Sequence, residues 1–297
     1  MAHIHAHAAY SGPLVSIRHV RCRLAAPGLS GEEQSESHNV VFLRRGVFVR
    51  HAEGQRIVAD PTQVLFSNQG EPYRVSHPVP GGDDCTVFTF APEVLLEALS
   101  AYEPSAQDSP GRPFRLTHLP AAPAVLLRQQ ALRQRLRREA PTTLEVEEIA
   151  LGILQWIARA APAGSGVPRA RRAGTVRQRR EWVERTQLLL AAEPGANPSL
   201  DSLAKAVHCS PFHLARTFRS EVGIPIHQYL LRLRLALALD RLGDRRIGLD
   251  ALALDLGFSS HSHFTTAFQR AFGTSPSAFR RTATAARVRE TSKILKI

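Results

Sequence analysis

Lysine, cysteine, methionine and tryptophan are all scarce in this sequence of 297 residues, with 3 Lys, 3 Cys, 1 Met and 2 Trp. Cys22, Cys85 and Cys209 lie far apart and show no CxxC spacing, which excludes a disulfide framework and gives no sequence-defined metal site. A reducing, cytoplasmic setting follows. No stretch approaches the ~20 apolar residues of a membrane span, and the opening MAHIHAHAAY lacks the basic flank and apolar core of a signal peptide. The expectation is a soluble protein with no membrane partner, no cofactor and no metal. The HIHAH segment would place His3, His5 and His7 on one side of an extended strand, where they can bind a metal, but a mobile tail is the commoner state of such a terminus. With so little lysine, arginine carries the positive charge, a skew that a GC-rich coding sequence produces without selection for phosphate contacts.

What is there points to two domains. The length exceeds a typical single domain, and 43% hydrophobic residues suffice to bury real cores. The net charge of +12 is unevenly spread: basic and acidic residues number 16 each before residue 168, whereas 22 basic face 10 acidic after it. A basic half joined to a neutral half suggests a polyanion-binding module carried by something else, because clustered arginines neutralise phosphates and release their counterions. A solvated basic face gives the same composition.

From about residue 14 to 90, short apolar runs (VVFLRRGVFVRH, RIVADPTQVLFSNQGEPYRVSHP, CTVFTF) are broken by turn signals at Asp60-Pro61, Asn68-Gln69-Gly70 and Pro80-Gly81-Gly82-Asp83. They predict an antiparallel barrel or sandwich. After Phe90 the period changes, predicting helices over 91–100, about 122–138 and about 143–160. In the last, Val146, Ile149, Ile153 and Ile157 make one apolar face that needs a partner, either the chain's own barrel or a second copy. The two longer helices form a helical hairpin. Residues 161–175, rich in Gly, Pro, Ser and Arg without periodicity, read as a linker. The fold class is therefore α+β, with a first domain over 1–160, an all-α domain over 176–283 and a basic tail over 284–297.

Beyond the linker the chain repeats itself at about fifty residues. Leu203-Ala204 returns as Leu252-Ala253, Val207 as Leu256, Leu214 as Phe264, Phe218 as Phe268, Gly223 as Gly273 and Tyr229 as Phe279. Each copy reads as a short helix, a tight turn and a longer helix closed by glycine, the pattern of a helix-turn-helix. Ser199 and Ser210 are placed to cap the two helices of the first copy, and Pro211 sits at a tolerated first position. A continuous helix over roughly 225–242 joins the copies; about 18 residues span ~27 Å, comparable to the ~34 Å between major-groove openings on one face of DNA.

In the second helix of the first copy, Leu214, Phe218 and Val222 form the core ridge and leave Phe212, Ala215, Arg216 and Arg219 on other faces. Arginine suits guanine or phosphate, and Phe212 a thymine methyl. The same residues also suit a solvated surface, or local packing for the phenylalanine. In the second copy the ridge is Phe264, Phe268 and Phe272, and His261, Ser262, Thr265, Thr266 and Gln269 face outward. Ser210, His213, Ser260 and Arg270 complete the DNA-binding candidates.

These segments, SLDSLAKAVHCSPFHLARTF, GIPIHQYLLRLRLALALDRL and ALALDLGFSSHSHFTTAFQRAFGTSPSAFR, resemble the AraC/XylS family of bacterial transcription regulators over residues 178–281. The resemblance implies two helix-turn-helix units on one linker helix, contacting DNA through positions matching Phe212, Ala215 and Arg216 and then His261, Ser262, Thr265 and Thr266. Many relatives carry arginine where this chain has Thr266, which makes the first unit the main anchor. The resemblance also implies a cupin-like barrel that binds a small-molecule effector and dimerises, and activation through RNA polymerase. His38, His51, Tyr73 and His77 are the candidates to line its pocket. No catalytic residue is assigned, since the histidine and glutamate motifs of metal cupins are missing. The competing readings are a cupin-type metal oxygenase or a DNA-repair methyl-transfer protein carrying this domain, and an architectural DNA binder that answers to no ligand.

Overall fold

The computed structural model describes residues 2–24, 28–102, 106–138, 141–160, 173–244 and 246–282. Ten strands in its first half form two facing antiparallel sheets. The larger runs β1 (Ala2–Ser11), β2 (Val15–Leu24), β9 (Asp83–Phe90), β4 (Asn39–Gly46), β7 (Gln63–Ser67) and β10 (His118–Pro120). The smaller runs β3 (Glu33–Gln34), β8 (Pro72–Ser76), β5 (Phe48–Ala52) and β6 (Gln55–Ala59). The expected cupin-like barrel is thus a barrel-like sandwich that does not close. The HIHAH segment is paired strand rather than tail: His5 lies opposite Arg21 and His7 opposite His19, because ten residues of β1 find a ladder along β2.

Residues of alternate parity on the large sheet serve two cores. One face gives Ile17, Val40, Phe42, Val64, Phe66, Phe88 and Phe90 to a core completed by α1 (Pro92–Ser100), α2 (Pro123–Arg138) and α3 (Thr143–Ala160). Of the α3 stripe, Val146, Ile153 and Ile157 are buried there and Ile149 partly so, and its partner is the chain's own core, shared with α1 and α2. The other face, with Leu43, Leu65, Cys85 and Val87, meets Phe48, Ile57 and Ala59 of the small sheet.

The second half is helical: α4 (Ala173–Ala192), α5 (Leu200–Ala206), α6 (Pro211–Val222), α7 (Ile226–Arg241), α8 (Leu249–Asp255), α9 (His261–Phe272) and α10 (Pro276–Thr282). The apolar pattern of the sequence does not predict α4. Its start at Ala173 places residues 173–175 in a helix rather than in the expected linker; the rest of that linker, and the basic tail over 284–297, lie outside the described residues. Arginine-rich turns with one buried side of Val183 and Leu190 give a weak apolar period, but packing on α6 secures the helix.

The two halves are tied together. Asp240 on α7 accepts from Arg133 Nη2 of α2 at 2.7 Å and pairs with Arg44 at 3.6 Å and with Arg45, both of β4. Gln130 Nε2 donates to the Leu239 carbonyl at 2.8 Å. The Tyr229 hydroxyl donates to Asp60, and Arg56 pairs with Glu184 on α4. Burial opposes ionisation of Asp240, yet the guanidiniums of Arg133, Arg45 and Arg44 hold its carboxyl below the usual range.

Candidate nucleic-acid interface

Both helix-turn-helix units form as the repeat predicts, and side-chain caps mark the starts of α5, α6 and α9, while α8 starts at Gly248 without one. Ser199 Oγ accepts from the Ser202 amide at 3.0 Å, Ser210 Oγ from His213 at 3.3 Å and Ser260 Oγ from His263 at 3.1 Å, each satisfying a donor that the first helical turn leaves open. Gly223 and Gly273 end α6 and α9 with left-handed backbones at φ of 83° and 70°. Beneath α6 lie Leu203, Ala204, Val207, Leu214, Phe218 and Tyr229; beneath α9 lie Leu252, Ala253, Leu256, Phe264, Phe268 and Phe272.

The surface left over differs between the units. On α6, Phe212 is 70% exposed, and His213, Arg216 and Arg219 are exposed with Ala215 half-buried beside them. Arg216 and Arg219 make no ion pair among the described residues, so their charge is available to phosphate or guanine. On α9, Ser262, Thr266, Gln269 and Arg270 are exposed, whereas Thr265 is half-buried with an unpartnered hydroxyl. His261 Nδ1 is 2.7 Å from Asp250 Oδ1 of α8, which places a carboxylate beside the first exposed imidazole of α9. Ser260 is engaged as a cap, as is Ser210, whose hydroxyl also meets His213 Nδ1 at 2.8 Å. His263 meets the Phe258 ring edge to face and bonds Ser259, a structural role.

One residue that the sequence reading missed holds the units together. Arg234 of α7, 7% exposed, donates to the carbonyls of Pro194 at 2.7 Å and Ala196 at 2.7 Å ahead of the first unit, and to Gly257 at 3.0 Å in the turn of the second. There the backbones touch: a Cβ on Gly195 would sit 2.3 Å from the Asp255 carbonyl, and one on Gly257 2.3 Å from that of Gly195. Its signal in the sequence was an arginine within the apolar run LRLRLALAL, where a buried charge requires acceptors.

Comparison with known proteins agrees with this geometry. A family model described as a helix-turn-helix domain matches residues 203–282. The probable transcriptional regulator LumQ of Photobacterium leiognathi is 45% identical over 62 residues, 21% of this chain and 25% of LumQ, so the chain matches only a quarter of that relative's length. The probable transcription factor PqrA of Proteus vulgaris is 32% identical over 104 residues, 35% of this chain and 81% of PqrA. The chain belongs to the AraC/XylS family. The crystal structure of ToxT from Vibrio cholerae aligns with 92% of this member's chain and 99% of its own, at 9% identity and a TM-score of 0.36.

This AraC/XylS member also has a cavity of about 930 Å³ between its two sheets. Of the four effector candidates, the structure brings Tyr73 and His77 to that cavity. His38 is buried elsewhere, accepting from the Gln69 amide at 3.1 Å through Nδ1, and His51 bonds Ser76 Oγ at 2.8 Å and faces a separate shallow groove. Arg50, Arg18, Cys22, Asp83 and Cys85 line the cavity and were not singled out by sequence. Arg50 is itself committed, donating to the Phe66 carbonyl and to Glu71 at 2.9 Å and lying over the Tyr73 ring. Burial and the neighbouring Glu33 carboxylate push the Tyr73 hydroxyl up to about 12. Among the described residues no helix is long and apolar enough to cross a membrane.

Proposed function

We propose that this chain is a sequence-specific DNA-binding transcription regulator in which α6 is the main anchor and α9 a weaker reader. The observation that carries this reading is the surface of α6, where a largely exposed phenylalanine in the first turn is followed along the helix by two arginines with no ion pair among the described residues, Arg216 at mid-helix and Arg219 in the last turn. Residues 176–283 form the DNA-binding part and 1–160 the sensing part. The cavity between the sheets takes a small-molecule effector, and the ion pairs on α7 pass its effect to the DNA-binding helices. As in the family, the output is activation through RNA polymerase in the cytoplasm. Since the α3 stripe packs into the chain's own core with α1 and α2, any homodimer uses another surface. Enzymatic methyl transfer is disfavoured because Cys22 and Cys85 are buried between sheets, away from the helices that meet DNA.

Footprinting of the full chain on its own upstream region and neighbouring promoters, with and without candidate metabolites, tests both halves. A discrete protected site whose affinity falls steeply as salt rises is expected. The absence of any protected site would overturn the reading, and protection that ignores sequence would favour an architectural binder.

A further inference from the structure

We infer that the inner face of the barrel holds a site for one zinc-class divalent ion, with Cys22, His77 and Asp83 as ligands and the fourth position open to the cavity. The register creates it. Cys22 of β2 lies opposite Asp83 of β9, so both side chains point into the sandwich, and Cys85 follows on the same face. His77, just past the end of β8, reaches across from the other sheet. One donor atom from each of Cys22, His77 and Asp83 lies within 4.8 Å of the other two, and all three residues are buried. No other group of three such residues occurs among the described residues.

The chemistry of the set selects the ion. Thiolate, imidazole and carboxylate together suit a borderline-soft, four-coordinate metal, not calcium or magnesium, which take oxygen ligands. Donors around tetrahedral zinc sit about 3.3–3.8 Å apart, so small rotations of the three side chains close the shell. Among the described residues no arginine or lysine pairs with the Asp83 carboxylate. Its carboxylate is 2.7 Å from His77 Nε2 and accepts from Cys85 Sγ at 3.1 Å, while the nearby guanidiniums of Arg21 and Arg23 bond Asp84 instead. A buried carboxylate held by an imidazole and a thiol is costly, and a metal ion supplies the missing positive charge. The backbone beside it is fixed, since a Cβ on Gly82 would lie 2.1 Å from the Cys22 carbonyl oxygen. Coordination releases the Cys22 thiol proton to solvent and frees Cys85 to act as an outer partner of Asp83. No electron changes hands.

The site borders the junction between domains. The Cys85 carbonyl accepts from Arg44 Nη2 at 3.3 Å, and Arg44 pairs with Asp240 of α7. An ion that fixes the start of β9 therefore also fixes the strand pair that grips the linker helix; this regulatory consequence rests on the proposed function, whereas the ion's presence does not.

The test uses the full chain, reduced and stripped with chelator, without DNA. Titration with Co²⁺ is expected to give a thiolate-to-cobalt charge-transfer band saturating at about one ion per chain and lost on adding Zn²⁺. Cys22→Ser removes the band, Asp83→Asn and His77→Gln abolish stoichiometric binding, Cys85→Ser keeps the band with affinity about 10- to 100-fold weaker, and Cys209→Ser changes nothing. Should the variants unfold, the wild-type chain still decides: Zn²⁺ protects Cys22 from alkylation while Cys209 reacts at an unchanged rate. No band at saturating Co²⁺, a band surviving in Cys22→Ser, or equal alkylation of Cys22 with and without Zn²⁺ would overturn the site. Failure of DNA footprinting would leave these readouts untouched.

Discussion

Arg133 of α2 and Asp240 of α7 meet at 2.7 Å with both side chains 5% exposed, a buried ion pair linking the sheet-bearing half to the helix between the two helix-turn-helix units. Burial brings the Arg133 guanidinium down to about 10, which still leaves it charged at neutral pH. Asp240→Ala leaves Arg133 and Arg44 without their carboxylate and should cost about 3–5 kcal/mol. The pair Arg133→Met with Asp240→Leu should recover only the part of that loss due to Arg133, because Arg44 of β4 still lacks its carboxylate. Denaturant unfolding of the two variants checks this, and equal destabilisation by both would contradict it.

Asp60 makes stability depend on pH. It is fully buried beside the Tyr229 hydroxyl, and burial raises its carboxyl to about 6, against the opposing hydrogen bonds from Thr62. The folded chain therefore binds the Asp60 proton more tightly than the unfolded chain. That contribution is complete below the ordinary carboxylate value of 3.8 and is lost as pH rises through about 6. Relative to Asp60→Asn, the wild type should lose roughly 1–1.5 kcal/mol between about pH 5 and about pH 7.5. Taking the difference removes His19, which burial and Arg44 lower to about 4 and which acts in the opposite direction. A gap that is flat with pH would refute the assignment.

Arg216→Ala should weaken specific DNA binding by about 1–3 kcal/mol, more than Thr266→Ala does. Fluorescence anisotropy at matched salt is the measurement, with the protected site as probe. Equal losses would remove the ranking of the two units.

Arg234→Ala deletes the donors that serve Pro194, Ala196 and Gly257 and should destabilise the helical half by several kcal/mol, each lost bond to a charged group contributing about 1.5–3. Arg234→Lys should rescue little of it, since an ammonium cannot fork to three carbonyls. A lysine variant as stable as the wild type would show that the guanidinium geometry is unimportant.

The second half was largely legible in sequence because its signals are local. Ser199 marks the start of α5, and Ser210 with Gly223 marks both ends of α6, while the repeat points to α8 and α9 as their counterparts. The helix α4 escaped because it is polar along most of its length and depends on contacts with distant α6 and β6. The strands of the first half were recognisable by their turns, but Cys22, His77 and Asp83 are drawn together by a register spanning sixty residues, which no spacing rule encodes. His38 and His51 look no different from His77 in sequence; only the sheet geometry sends one into the cavity and the others away from it.

Backbone contact between Gly195 and Gly257, sealed by Arg234, leaves no slack between the two reading heads. The chain is in effect a calliper with a locked jaw. A promoter that gained or lost a base pair between the segments facing α6 and α9 would rotate one of them out of phase, and the duplex alone would have to twist to restore the match. On the proposed reading of α6 and α9, spacing becomes a property of the promoter that the protein selects together with its bases, and single substitutions on either helix would retune one half-site without altering the distance to the other.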